Sequence, residues 1–211
     1  MQFVKVKISI FLSNGFHQKN VLDYRMDKRF YMLKAIFTIV ALSCTILLFG
    51  QTYTPADKGS TVRFVIKNFG INTGGTFEGL TGTITFDPAS LSTASFNVSV
   101  DAKTVDTDME ARDNHLRKAE YFDVEKYPRL SFRSTKVTTT TKEGYLYMYG
   151  IITIKNVSKE ISFPFKQTSK DGGILFEGAF DLNRRDFGVG GKSFSMADDL
   201  TVELSIFAKK N

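Results

Sequence analysis

The stretch "ASFNVSVD", residues 94–101, decides how the rest of the chain is read. Phe96, Val98 and Val100 alternate with Asn97, Ser99 and Asp101, so every second side chain is large and apolar. A period of two places those three on one face of a strand and their polar neighbours on the other. The pattern recurs outward in both directions. On the N-terminal side, "TVRFVIK" (61–67) aligns Val62, Phe64 and Ile66, and "GTITFD" (82–87) aligns Ile84 and Phe86. On the C-terminal side come Leu130 and Phe132, then Ile161, Phe163 and Phe165, then Ile174, Phe176 and Phe180, and finally Val202, Leu204 and Ile206. "GYLYMYGIITIK" (144–155) is apolar on both faces: Tyr145, Tyr147 and Tyr149 oppose Leu146, Met148, Ile152 and Ile154, and alternation leaves its inward face open. Turn formers separate the runs, as in "GLTG", "DPAS", "KEG", "KNVSK" and "KDGG". About eight short strands with one helical insertion predict an all-β domain, a single antiparallel barrel or sandwich.

The insertion follows "ASFNVSVD" almost at once, in "DTDMEARDNHLRKAEYFDVEKYP" (106–128). Thr107 and Glu110 match a Thr-x-x-Glu capping box, and Asp108 suits a helix N-terminus. The spacing predicts a short helix near residues 107–118, with Tyr121 and Phe122 as an aromatic plug. "KYP" then returns the chain to extended backbone, because a residue before proline avoids the α region. Between strands, such a segment makes a cover at one end of a barrel.

Charge and hydropathy divide the chain. The first 50 residues carry seven basic and two acidic side chains, and the rest carries 21 basic against 20 acidic. The net charge of +6 therefore belongs mostly to the leader. That argues against a nucleic-acid-binding domain, which needs a concentrated basic surface. In "KAIFTIVALSCTILLFGQ" (34–51), Lys28, Arg29 and Lys34 precede an apolar run ending at Phe49. It fits a secretory signal peptide, residues 34–50, cleaved before Gln51. The run is shorter than the roughly 20 residues of a membrane span. Residues 1–33 form an N-terminal extension, with Met26 or Met32 as the more ordinary start. Cys44 is the only cysteine. A lipidated Cys44 is the alternative, but the apolar run continues past it. The mature domain, residues 51–211, would then hold no thiol nucleophile and no disulfide. Export places it in the periplasm or outside the cell.

The candidates for chemistry are few. His115 is the only histidine after residue 17, and with Asp113 or Glu110 it has the composition of an acid–base pair, which would make a hydrolase or isomerase. No G-x-S-x-G elbow accompanies it, so no catalytic residue is assigned. Asp198 and Asp199 in "MADDL" are the nearest approach to a calcium site, and no metal site is assigned. "NRRDFGVGGKSF" (183–194) has no following helix to make a phosphate loop. It reads as a turn, or as an entrance loop presenting Arg184, Arg185 or Lys192 to an anionic head group. The 20 phenylalanines point to binding. Phe64, Ile66, Phe86, Phe96, Val98, Phe132, Phe163, Phe165 and Phe176 would line the interior of a barrel, which at about eight strands is either filled or encloses one small ligand. Arg112, His115, Arg184 and Arg185 are the candidates for its mouth. A structural or interaction module with a filled core is the other alternative.

Four blocks carry a resemblance. "GTFEGLTGTITFDPASL" (75–91), "SVDAKTVDTDMEARDNHLRKAEYFDVEKYPRLSFRSTKV" (99–137), "GIITIKNVSKEISFPF" (150–165) and "LNRRDFGV" (182–189) closely resemble the YceI-like family of exported polyisoprenoid-binding proteins. The resemblance spans roughly residues 57–208, with Asn156 standing where that family usually has glycine. It implies a lipocalin-like antiparallel β-barrel whose long apolar tunnel takes an isoprenoid chain, such as a quinone tail or polyprenyl phosphate. It implies a periplasmic carrier or stress-related binding protein rather than an enzyme, with the lipid as ligand and not cofactor; the charge balance adds no nucleic-acid partner, and such a carrier can make transient membrane contact.

Overall fold

Where alternation predicts strands, the backbone is extended. The computed structural model describes residues 50–211. The signal-peptide, extension and Cys44 expectations fall on residues 1–49, outside the described residues. In chain order the strands are β1 (Gln51–Pro55), β2 (Thr61–Asn68), β3 (Ile71–Phe77), β4 (Thr81–Phe86), β5 (Ser95–Asp101), β6 (Arg129–Thr139), β7 (Leu146–Ile154), β8 (Val157–Lys170), β9 (Gly173–Asn183) and β10 (Met196–Lys210). One helix, α1 (Glu110–Leu116), lies between β5 and β6. Among the described residues no helix is long and apolar enough to cross a membrane.

Eight strands close a barrel in the order β1-β4-β5-β6-β7-β8-β9-β10, with β10 returning to β1, and every pairing is antiparallel. Closure leaves no free edge around that circuit. The 15-residue β10 is shared: its C-terminal end pairs with β1 through Pro55↔Ala208, and its N-terminal part pairs with β2 through Val202↔Phe64. Thus β1–β2 and β3–β4 form the two arms of one long bent hairpin. Its tip is the two-residue turn Phe69-Gly70 between Asn68 and Ile71. Both arms kink at the same level, at 56–60 and 78–80. The Asp57 carboxylate ties the kinks by accepting from the backbone N–H of Leu80 at 2.8 Å and of Gly79 at 3.1 Å. Beyond the kink β3 leaves β5, and only an isolated bridge, Thr76↔Asp106, joins it to the insertion. Residues 102–124 fill that gap in the wall with buried Ala102, Val105, Phe122 and Val124.

The inward faces follow the sequence pattern, with two informative exceptions. On β7, Met148, Gly150, Ile152 and Ile154 are buried and Tyr149 is exposed, which resolves the two-sided strand. On β6 the inward parity changes from the half-buried Leu130 and Phe132 to the buried Val137, because a bulge between Ser134 and Lys136 inserts one residue. A bulge flips every later side chain to the other face, so uninterrupted alternation fails there. At the β7–β8 turn, Lys155 and Asn156 both have positive φ, 47° and 64°. Asparagine tolerates that left-handed backbone at the position where the resembling family has glycine.

One end of the barrel is tightly packed, with only a small void. Phe86, Phe96, Phe165 and Phe176 form a cluster with four edge-to-face pairs, centroids 5.1 to 6.1 Å apart, and one tilted pair at 6.4 Å. Ile84, Val137, Met148, Ile174 and Ala208 pack around it. Edge-to-face geometry sets the positive rim of one ring against the negative face of the next.

Candidate functional site: an apolar cavity under a clamped roof

The other end of the barrel is hollow. A cavity of about 200 Å³ lies among β2, β5, β6, β7, β8, β9 and β10. Its walls are side chains of the inward alternation, including Val62, Phe64, Ile66, Val98, Phe132, Phe163, Phe180, Val202 and Leu204. A void of about 60 Å³ sits deeper, lined by Phe96, Phe165 and Phe176 among others. Val98, Phe132, Phe163, Leu204 and Ile206 border both spaces and form the partition between them. The Phe132 and Phe163 rings, 6.1 Å apart, make up much of that wall.

Phe132 lies where it does because Gly150 has no side chain. A Cβ at Gly150 would stand 2.3 Å from the Phe132 ring, so the ring rests directly on the backbone of β7. Gly75 plays the same part for Phe64, whose ring a Cβ there would meet at 2.7 Å. Glycine in a strand interior weakens it, and close approach of a neighbour is the usual compensation.

The roof comes from two segments. The insertion supplies Leu116, Tyr121 and Phe122, and the β9–β10 loop supplies Phe187 and Val189. Phe122 meets Phe77 edge to face at 5.3 Å. Lys155, in the β7–β8 turn, donates to the carbonyls of Ala119 and Gly188, each at 2.9 Å, and so joins the two roof segments. A second link runs from Gly190 N–H to the Glu120 carbonyl at 2.8 Å.

Arg184 holds the β9–β10 loop together. It is buried, and all three guanidinium nitrogens are engaged. Nε donates to Ala197 O, Nη1 to Val189 O and Gly191 O, and Nη2 to Asp198 Oδ1 at 2.6 Å. Charge-assisted bonds of this kind offset the desolvation that burial imposes on a guanidinium. Arg184 borders the cavity, as a candidate for its mouth, but its guanidinium organises the loop and is not free for a head group. Arg185 is exposed and shares Asp198 only weakly, at 3.5 Å. Asp199 accepts from Asn183 Nδ2, so the Asp198 and Asp199 carboxylates are both occupied by neighbours. Among the described residues no group of three metal-ligating side chains comes together.

The capping box expected at Thr107 and Glu110 is absent. Asp108 has φ 60°, a left-handed turn that delays the helix, and Met109 becomes the N-cap without a side-chain bond. Asp113 takes the place of Glu110: its Oδ1 accepts from both the backbone N–H and the hydroxyl of Thr107, and all these groups are buried. Arg112 donates to the Thr107 hydroxyl and carbonyl. His115 points away from this knot. It is exposed, its ring lies 4.8 Å from that of Tyr121, and it makes no hydrogen bond to a carboxylate. The pairing of His115 with Asp113 that a hydrolase would need does not form.

Of the interior candidates, Phe64, Ile66, Val98, Phe132 and Phe163 face the main cavity, and Phe96, Phe165 and Phe176 face the deeper void. Phe86 borders neither and is fully buried in the tightly packed end. Phe187 and Val189 line the cavity from the β9–β10 loop, and Met196 from the first position of β10, where no periodicity marks them.

The model of the YceI-like domain matches residues 53–208. The chain belongs to the YceI-like family. Protein YceI of Salmonella arizonae and of Salmonella heidelberg each share 38% identity with it over 107 residues. The match covers 50% of this chain and 54% of the relative, so it spans about half the length of those curated proteins. Among solved structures, Burkholderia cenocepacia BcnA superposes with a TM-score of 0.67 at 22% identity, over 71% of this chain and 96% of that one. The Campylobacter jejuni YCEI protein superposes at 0.58 with 26% identity, over 65% and 84%. A polyisoprenoid-binding domain from Saccharophagus degradans superposes at 0.61 with 12% identity, over 77% and 99%. These neighbours share the closed antiparallel barrel.

Proposed function

We propose that this YceI-like protein is an exported lipid carrier that holds the tail of an isoprenoid-like amphiphile, of the quinone or polyprenyl phosphate type, inside the barrel. The observation that carries this reading is the hollow, carbon-lined end of a barrel whose other end is much more tightly packed. Family membership and the likeness to the Saccharophagus degradans domain, described as polyisoprenoid-binding, support it. The leader's basic residues and apolar run support export.

The energetics favour a branched hydrocarbon chain. Burying apolar carbon contributes about 0.8 kcal/mol per methylene, so a five-carbon unit gains on the order of 4 kcal/mol before association costs. A cavity of about 150 Å³ holds one benzene ring. The space of about 200 Å³ thus takes on the order of one or two five-carbon units. A longer tail reaches the deeper void only if Phe132 and Phe163 swing aside, and otherwise it leaves through the roof. The long open tunnel implied by the family is here two unequal chambers.

Native mass spectrometry of the protein purified from its own host, followed by organic extraction, tests the reading. The expected result is a non-covalent adduct released as an isoprenoid-class lipid. Protein that is consistently free of lipid, and that takes up no added short-chain prenyl alcohol or quinone, would overturn it.

A further inference from the structure

The largest exposed apolar side chains beside the hollow end gather on two adjoining loops. Phe69 and Ile71 flank the tip of the β2–β3 hairpin, 73% and 71% exposed, and Phe194 in the β9–β10 loop is fully exposed. The loops are bonded to each other: Phe69 N–H donates to Ser195 O at 2.7 Å, and Met196 stands opposite Asn68. The patch is continuous with the cavity wall, since Ile66 and Met196, a few residues away on the same two segments, both line it.

Two further observations say what the patch meets. Residues 64–77 and 187–197 contain Lys67 and Lys192, both exposed, and no aspartate or glutamate. Phe69 also has φ 50°, followed by Gly70 at 78°. Two positive φ angles make a tight hairpin turn in which asparagine or aspartate usually takes the first position. A bulky side chain there is a backbone outlier, and it is set in water. Strain of that kind persists where function requires the side chain.

We propose that Phe69, Ile71 and Phe194 insert into the interface of an anionic lipid bilayer, with Lys67 and Lys192 among the head groups. Aromatic and aliphatic side chains bury at the head-group boundary, and each lysine near an anionic surface adds about 1 kcal/mol. Docked in this way, the cavity wall at Ile66 and Met196 faces the bilayer, so a lipid tail passes between membrane and barrel with little exposure to water. The passage rests on the carrier reading. The docking does not.

The chain contains no tryptophan, so single-tryptophan variants report locally. Phe69→Trp and Phe194→Trp are titrated with vesicles of phosphatidylcholine containing phosphatidylglycerol, alongside Tyr149→Trp on the outer barrel wall. The expected result is a blue shift for the two loop reporters only. It weakens in pure phosphatidylcholine or high salt, and a Phe69→Ser, Ile71→Ser, Phe194→Ser variant loses at least about tenfold in vesicle affinity. No shift at the loops, or an equal shift at position 149, overturns the proposal. So does a concentration-dependent dimer in vesicle-free sedimentation that the triple variant abolishes, because the patch would then be covered by a second copy. A loop-specific shift in protein that never yields a bound lipid supports docking while removing the carrier reading.

Discussion

Two neighbouring residues, Asp113 and His115, show how little side-chain type alone says about role. Asp113 is buried and accepts two hydrogen bonds from Thr107, whereas His115 is exposed beside Tyr121. Asp113→Ala would leave the Thr107 N–H without its acceptor and is expected to cost about 1–3 kcal/mol in chemical denaturation. His115→Ala, on the surface, is expected to stay within about 0.5 kcal/mol and to leave lipid occupancy unchanged. A His115→Ala protein that folds normally but loses its lipid would return this residue to the site. Arg184 carries the same lesson. Its charge and its place in a glycine-rich loop suggest an anion ligand, yet four partners in the loop and at the start of β10 engage it.

The elements around the cavity differ in how they are held. The eight closing strands are bonded on both sides. The roof, by contrast, is two irregular segments joined by Lys155 and by the Gly190–Glu120 bond. Lys155→Met removes two charge-assisted bonds at the periphery of the barrel. It is expected to speed amide hydrogen exchange at residues 117–124 and 186–191, with little change at β5 or β9. Uniformly faster exchange would show instead that the roof and the barrel open as one unit. The bent hairpin is the other composite element. Asp57 fastens its two kinks, and the tip beyond them carries the exposed Phe69 and Ile71.

Across the whole molecule, one barrel serves two physical tasks. Its tightly packed end provides cohesion through the phenylalanine cluster, and its hollow end leaves apolar surface unfilled, which costs stability and creates affinity for hydrocarbon. Val202, beside Phe64 on β2 and Phe180 on β9 in the cavity wall, separates the two tasks. Val202→Phe is expected to take up part of the space of about 200 Å³ and reduce lipid uptake by native mass spectrometry, while the thermal midpoint holds or rises. Undiminished lipid uptake by a stably folded Val202→Phe protein would place the ligand elsewhere.

Much of this was legible along the chain. A period of two in Phe96-x-Val98-x-Val100 and its counterparts states which side chains face inward, because in an extended chain that choice is local. The insertion at 106–128 and its aromatic plug were legible for the same reason. Strand β3, "INTGGTF", was not: its small residues make room for the Phe64 ring on its neighbour, and that need belongs to a pair of strands. The division of the interior into a filled end and a hollow one was also invisible. Phe86 and Phe132 are the same residue type at inward positions, but one is fully buried against Phe96 and Phe176 and the other borders open space. Alternation assigns a face. How much volume remains behind that face depends on what every other strand, the bulge in β6 and the roof bring to the same place, and only the tertiary structure sums those contributions.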